Sequence, residues 1–344
     1  MLTQPSSPRT TTSSMVFVPG GTFTMGSDDH YPEERPAHPV TVDGFWMDRH
    51  PVTNAQYAGF VDATGHVTTA EVPPDPADYP GALPEMLYAG SLVFVQSPGP
   101  VDLRDVGHWW AFVKGADWRH PTGPDSTIAG LGDHPVVHVS YADALAYATW
   151  AGRQLPTEAE WERAARGGLE GTEFAWGDEL MPAGRAMANT WQGTFPWRND
   201  LLDGWLRTSP VGSFPPNGFD LVDMIGNVWE WTTDWYAAAH PDAAQHACCI
   251  PANPRGADRE ASIDPVQPEI RIPRKVIKGG SHLCAPNYCQ RYRPAARFPE
   301  AVDTSTSHLG FRCISRRPAD VPADPTNQRS RASLSSMVDD ARQA

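Results

Sequence analysis

Proline and glycine punctuate this chain so densely that long helices and strands are not expected: 35 Pro and 29 Gly fall among 344 residues. Proline removes a ladder hydrogen bond, and glycine raises the entropy lost on entering regular structure. A core built from such a chain must come from short elements joined by long loops. The material for a core is present, with 40% hydrophobic residues, 13 Trp and only 20% charge. That composition belongs to globular proteins.

Several function classes recede on composition alone. No stretch of about 18 uninterrupted apolar residues occurs, so no membrane span is expected. Met1 to Ser14 is rich in Pro, Ser and Thr and lacks the apolar run of a secretory signal, which gives a cytoplasmic expectation. A net charge of -14 argues against nucleic acid or an anionic membrane as partner and permits basic peptides. Five cysteines, at 248, 249, 284, 289 and 313, are too few and too unevenly placed for a disulfide scaffold.

Residues 1–14 and 318–344 read as disordered tails, leaving a body at 15–317. Met15 to Met25, two apolar runs around Gly20-Gly21, reads as a hairpin. Thr53 is expected to cap a helix to about Ala63, with Tyr57, Phe60 and Val61 inward. A second helix starts at Ser140, repeats Leu145, Tyr147 and Trp150, and stops at Gly152. Thr157-Glu-Ala-Glu160 is a capping box that opens a third, ending near Gly167-Gly168. From Phe174 to Arg274 no period stands out, and closing strands are expected at Lys275–Lys278 and His308–Ile314. His134 and His138 read as structural, because Pro135 opposes the helix that would pair them. The fold class is α+β, a single domain with little regular secondary structure.

The most informative segment is Gly279-Gly-Ser-His-Leu-Cys284-Ala-Pro-Asn-Tyr-Cys289-Gln-Arg-Tyr-Arg293. On a helix the two thiols would stand about 140° apart, and on a strand they would face opposite ways. A turn at Pro286-Asn287 would fold one toward the other. Converging thiols fit a structural disulfide, a catalytic redox pair, or a two-sulfur site for a soft ion such as Cu(I). A reducing compartment weighs against the first.

That segment, with Cys289-Gln-Arg-Tyr-Arg-Pro-Ala-Ala-Arg297 and His308-Leu-Gly-Phe-Arg312, resembles the active-site stretch of the formylglycine-generating enzymes, or sulfatase-modifying factors. Met15-Val-Phe-Val-Pro-Gly-Gly-Thr-Phe-Thr-Met-Gly26, Trp150-Ala-Gly-Arg-Gln-Leu-Pro-Thr-Glu-Ala-Glu-Trp161 and Ile225-Gly-Asn-Val-Trp-Glu-Trp231 are similar to the same family in the same order. The resemblance implies one catalytic domain over 15–317 with a C-type-lectin-like fold. It also implies oxidation of the cysteine of a Cys-x-Pro-x-Arg motif, in an unfolded sulfatase polypeptide or peptide, to formylglycine.

Residue by residue, the resemblance implies Cu(I) on Cys284 and Cys289, hydroxyls of Ser281 and Tyr288 beside the sulfurs, and dioxygen and a thiol reductant as co-substrates. Substrate contacts would come from Trp229, Arg297 and His308, the last standing where Asn is common. Two structural calcium sites are implied, one at Asn189, Thr190, Asp203 and Trp205 and one at Asp223, Gly226, Val228 and Glu230. Oxygen donors of this kind suit calcium. Ala148, Ala165 and Pro294 stand where secretory-pathway members carry cysteines, which leaves Cys313 a free thiol. The competing class is a non-catalytic, calcium-stabilised binding module on the same fold, against which the retained thiol pair argues.

Overall fold

The computed structural model describes residues 15–240 and 250–316. Both expected tails, and Cys248 and Cys249, lie outside the described residues. Three α-helices occur among those described: α1 Asn54–Thr64, α2 Tyr141–Trp150 and α3 Glu158–Arg166. Each opens on a reciprocal cap, Thr53 with Gln56, Ser140 with Asp143 and Thr157 with Glu160. Such a cap stabilises a short helix by about 1 kcal/mol. Among the described residues no helix is long and apolar enough to cross a membrane.

The strands are as short as the punctuation requires. β1 Met15–Val18 pairs with β4 Phe45–Asp48, which pairs with β11 Ile314–Ser315. β2 Gly21–Met25 pairs with β3 His38–Val42, and β5 Gly90–Phe94 with β6 Trp110–Lys114. The fourth sheet runs β10 Leu309–Gly310, β7 Trp229–Trp235, β8 Arg274–Lys278, β9 Arg297–Ala301. Between Phe174 and Arg274, β7 is the one strand among the described residues.

The structure corrects three local expectations. β1 and β2 do not form a hairpin: each pairs with a later strand, and the chain crosses between two sheets where Gly20 meets the backbone of Gly44. A Cβ on Gly20 would stand 2.6 Å from the Gly44 nitrogen, so a close backbone crossing rather than a turn explains that glycine. Leu145 points to solvent, and α2 turns Ala144, Tyr147 and Ala148 inward. The stretch His308–Ile314 holds two two-residue strands in different sheets instead of one strand.

The main core joins Tyr57 and Phe60 of α1, Tyr147 and Ala148 of α2, Trp161, Ala164 and Ala165 of α3, and Trp229, Trp231, Ile277 and Phe311. Cys313 is a buried free thiol in that same core.

Pairing in the fourth sheet sets what its two faces carry. Glu230 lies opposite Lys278, and Lys278 opposite Arg297. One residue out of phase, Trp231 lies opposite Ile277, and Ile277 opposite Phe298. Because side chains alternate along a strand, one face carries a row of buried charges and the other a row of apolar groups. α3 covers the charged face, where Glu162 bonds both Lys278 at 3.1 Å and Arg166 at 2.7 Å.

Candidate active site

Cys284 and Cys289 sit in the loop that follows β8. Cys284 N–H donates to Ser281 O at 3.0 Å, while Tyr288 and Cys289 N–H both donate to Ala285 O, at 3.1 and 2.9 Å. These successive turns around Pro286 and Asn287 bring the sulfurs to 3.2 Å. Asn287 pins the turn from outside, since its side chain exchanges two 3.1 Å bonds with the backbone of Phe195. At 3.2 Å the sulfurs are well beyond the roughly 2.05 Å of a disulfide. The pair is two free thiols.

The two sulfurs are not equivalent. Burial pushes the Cys284 thiol well above its ordinary range, so it keeps its proton. The hydrogen bond from Cys284, and then the charge of Arg291, hold Cys289 down to about 7 against the opposing effect of burial. Arg291 is itself fixed: it bonds Glu33 at 2.6 Å and lies 3.8 Å over the Tyr31 ring. The Tyr31 hydroxyl accepts the N–H of Gln290, next to Cys289, at 3.1 Å. The 3-10 turn Pro32–Glu34 and the tyrosine before it therefore clamp the far end of the cysteine loop, with Glu34 buried against Arg293.

Around the thiols opens a groove of about 300 Å³, the lower end of the size that takes a small ligand or a peptide side chain. Trp109, Phe195 and Tyr288 form one wall; Tyr288 stacks on Phe195 at 4.6 Å and meets Trp109 edge-on at 5.3 Å. Burial pushes the Tyr288 hydroxyl up to about 12, so it stays a neutral donor. The opposite wall is the apolar row of the fourth sheet, with Trp229 and Phe298 rings 6.0 Å apart. Ser281 is fully buried at the floor; its N–H points to Cys284 Sγ at 3.4 Å and its Oγ accepts from Leu283. His308 also lines the groove, edge-on to Trp110 at 4.8 Å. Its Nδ1 lies 2.5 Å from Thr306 Oγ1, and burial pushes its pKa well below the ordinary value, leaving it neutral.

Six of the seven residues assigned to chemistry or substrate thus meet at one site, and Arg297 does not. It belongs to the charged face of the sheet, one residue out of phase with Phe298. Its guanidinium is spent on Glu158 at 2.8 Å and on the carbonyls of Glu33 and Ala237. It lines a separate cavity with His38 and His240. The strand period of two turns it away from the thiols, so the structure does not bring it to the groove with the other six.

Arg291, Trp109, Trp110, Phe195, Phe298 and Glu300 line the groove and were not picked out from the sequence. Arg291 had a legible signal, a cation two positions from a thiol. Trp109 and Phe195 come from distant loops and Trp110 from the first position of β6, and nothing local marks them.

The soft donors of Cys284 and Cys289 fit Cu(I), which accepts few thiolate ligands. The first calcium set also fits a cation. Among the described residues Asn189 Oδ1 is buried without a partner, and burial raises the Asp203 carboxyl, which receives N–H bonds from Trp205 at 2.9 Å and Gln192 at 2.7 Å and pairs with no described basic group. The second set is already engaged. Arg312 bonds both oxygens of Glu230 and the carbonyl of Asp223, and Asp223 accepts Gly212 N–H at 2.6 Å. The main chain of Gly226 and Val228 lies in the loop between these two acids.

A facing thiol pair in an aromatic groove, on an α+β frame of short strands, defines a thiol-centred site. Residues 3–317 match the family model for the sulfatase-modifying factor enzyme 1-like domain, and the chain belongs to that family. It is 57% identical over 303 residues to a formylglycine-generating enzyme of Mycobacterium tuberculosis, covering 88% of this chain and 97% of that one. It is also 37% identical over 312 residues to a mouse protein named an inactive C-alpha-formylglycine-generating enzyme 2, covering 88% and 85%. The structure of PvdO from Pseudomonas aeruginosa superposes with a TM-score of 0.58 at 24% identity, covering 88% of this chain and 93% of that one, and so shares the fold.

Proposed function

We propose that this chain is an oxidoreductase that converts the cysteine of a Cys-x-Pro-x-Arg motif in sulfatase-type polypeptides to formylglycine, with Cu(I), dioxygen and a thiol reductant. The observation that carries this reading is the 3.2 Å thiol pair facing the groove. Family membership alone would not, since a relative named inactive is 37% identical and fold does not fix function. The rival reading, a non-catalytic binding module, leaves that pair without a role.

Cys284 and Cys289 would hold Cu(I), which when bound supplies the activation of dioxygen that side chains lack. The chain's own groups do the rest. Cys289, held near ionisation beside Arg291, needs little help to lose its proton on loading. Trp109, Phe195, Tyr288 and Trp229 exclude water and hold an extended substrate with its cysteine directed at the sulfurs. The Tyr288 and Ser281 hydroxyls, both lining the groove with the thiols, would donate to a sulfur or a reacting oxygen. On the substrate, loss of two electrons and two protons across Cβ and sulfur gives a thioaldehyde, which water hydrolyses to the aldehyde and hydrogen sulfide. Dioxygen takes those two electrons and two more from the reductant, ending as two waters.

The proposal includes structural calcium at Asn189, Thr190, Asp203 and Trp205, supported by the orphaned Asn189 oxygen. A second ion at Asp223, Gly226, Val228 and Glu230 would share Glu230 with Arg312. Chelation should lower the melting temperature, because an ion bound only to the native state stabilises it by about 2.7 kcal/mol at a hundredfold excess over Kd. Asp203→Ala should abolish that response; a melting curve indifferent to a strong chelator speaks against the ion. A cytoplasmic setting is also part of the reading, supported by free Cys313 in the same core as Ala148 and Ala165.

The deciding experiment is mass spectrometry of a Cys-x-Pro-x-Arg peptide after incubation with the chain, Cu(I), dioxygen and thiol. A mass loss from cysteine to formylglycine is expected, faster on the free peptide than on the same motif within a folded sulfatase. No conversion, or equal conversion of both forms, contradicts the reading.

A further inference from the structure

Among the described residues lining the groove there is one carboxyl side chain, Glu300, and the chemistry above gives it nothing to do. It stands on β9 two residues beyond Phe298, so both share the groove face of the sheet. Among the described residues, the cations near it are committed elsewhere. Lys275, directly opposite in the ladder, donates to Thr233 O at 2.6 Å and lies 3.3 Å over the Trp235 ring. Arg274 pairs with Asp264 at 3.1 Å, and Arg291 with Glu33 at 2.6 Å.

The other groups facing Glu300 do not neutralise it. The neighbouring Asp303, bonded to the Tyr79 hydroxyl, adds like charge. Neutral His308 and the thiols line the same groove. A carboxyl so placed costs free energy when ionised, and a cation arriving in the groove would recover it.

We propose that Glu300 is a subsite for a basic side chain of the polypeptide substrate, a lysine or arginine a few residues from the reacting cysteine. This rests on reading the groove as a peptide site. Phe298 lies 4.8 Å from the Arg291 guanidinium that flanks Cys289, and Glu300 is about 7 Å further along the strand. The span corresponds to roughly two to four residues of extended peptide. Burial raises the Glu300 carboxyl to about 7. Below that pH it is protonated and cannot attract a cation; above it, the preference for a basic residue grows.

The test measures peptide binding to the full, copper-free chain by the fluorescence of Trp109, Trp110 and Trp229, which line the groove. The probes are Cys-x-Pro-x-Arg peptides with serine in place of cysteine, and with lysine or norleucine placed in turn two to six residues to either side. At one position lysine should bind about fivefold tighter than norleucine at pH 8, the upper range for a partly exposed ion pair. That preference should shrink at pH 6, vanish in Glu300→Gln and persist in Glu300→Asp. Absence of binding, lack of preference at every position, or a preference in the wild-type chain that ignores pH overturns the proposal. Survival of the preference in a folded Glu300→Gln variant also overturns it. Because no turnover is measured, a chain that binds these peptides but never oxidises cysteine would sink the oxidase reading and leave the subsite standing.

Discussion

The two faces of the β7–β8–β9 sheet are built from alternate residues of the same strands, yet they do opposite things. On the face under α3, Glu230, Lys278 and Arg297 form a row in which each charge meets a partner, with Glu158, Glu162, Arg166 and Arg312 completing the network. On the groove face Trp229, Ile277 and Phe298 present apolar surface, and Glu300 is left unpaired. The closed face is a structural lock. The open face is incomplete by itself, and its unmet valences are the two thiols and the carboxyl. Function in this fold sits where the protein leaves groups unsatisfied, and stability sits where it satisfies them.

Substitutions should separate the two faces, and the largest effect belongs to the thiols. Cys284→Ser and Cys289→Ser should each fold with a melting temperature close to that of the parent yet reduce copper-dependent turnover to background, because one thiolate cannot retain Cu(I) against competing thiols. Near wild-type turnover by either variant at limiting copper would break the two-thiolate reading.

Next comes the lock. Lys278→Met should cost about 3–5 kcal/mol in urea denaturation, since it strands Glu162 as a buried charge with one partner fewer. Its folded fraction should still bind Cu(I) with unchanged affinity. A loss of copper affinity equal to that of the cysteine variants would erase the distinction between the faces.

The smallest effect is one of pH, with opposite sign on the two faces. On the charged face, burial alone would raise Glu162, but Lys278 and Arg166 pull it down to about 2. A carboxyl depressed on folding contributes stability that is present above its unfolded value of about 4.3 and lost as pH falls toward 2. Glu300, raised to about 7 by burial, does the reverse: the folded chain binds its proton more tightly, so stability declines as pH rises from about 4.3 to about 7. Denaturation midpoints against pH should therefore rise through the acid range and then sag toward neutrality. Glu300→Gln should remove the sag; if it persists unchanged, the unpaired carboxyl is not its source.

Local signals in the sequence were read at the right places when the interaction that produced them was itself local. Thr53, Ser140 and Thr157 each bond a backbone N–H three residues on, so the whole device lies inside a four-residue window. The turn at Pro286-Asn287 is likewise local, and it brings Cys284 and Cys289 together as expected. Motifs of this reach, together with the resemblance they carry, were enough for the fold class and for the convergence of the two thiols.

What the sequence could not determine was which strands pair and which way their side chains face. Met15–Val18 and Gly21–Met25 look like one hairpin, yet each pairs with a later strand instead, the first with Phe45–Asp48 and the second with His38–Val42. Arg297 and Phe298 are adjacent in the chain, and only the pairing of β9 with β8 puts the first in the ionic lock and the second in the groove. Trp109, Phe195 and Tyr288 reach one wall from three separate loops. A one-residue shift of register would exchange the faces. That register is set by the summed burial and charge pairing of the whole sheet against α3, a quantity that no window of sequence contains.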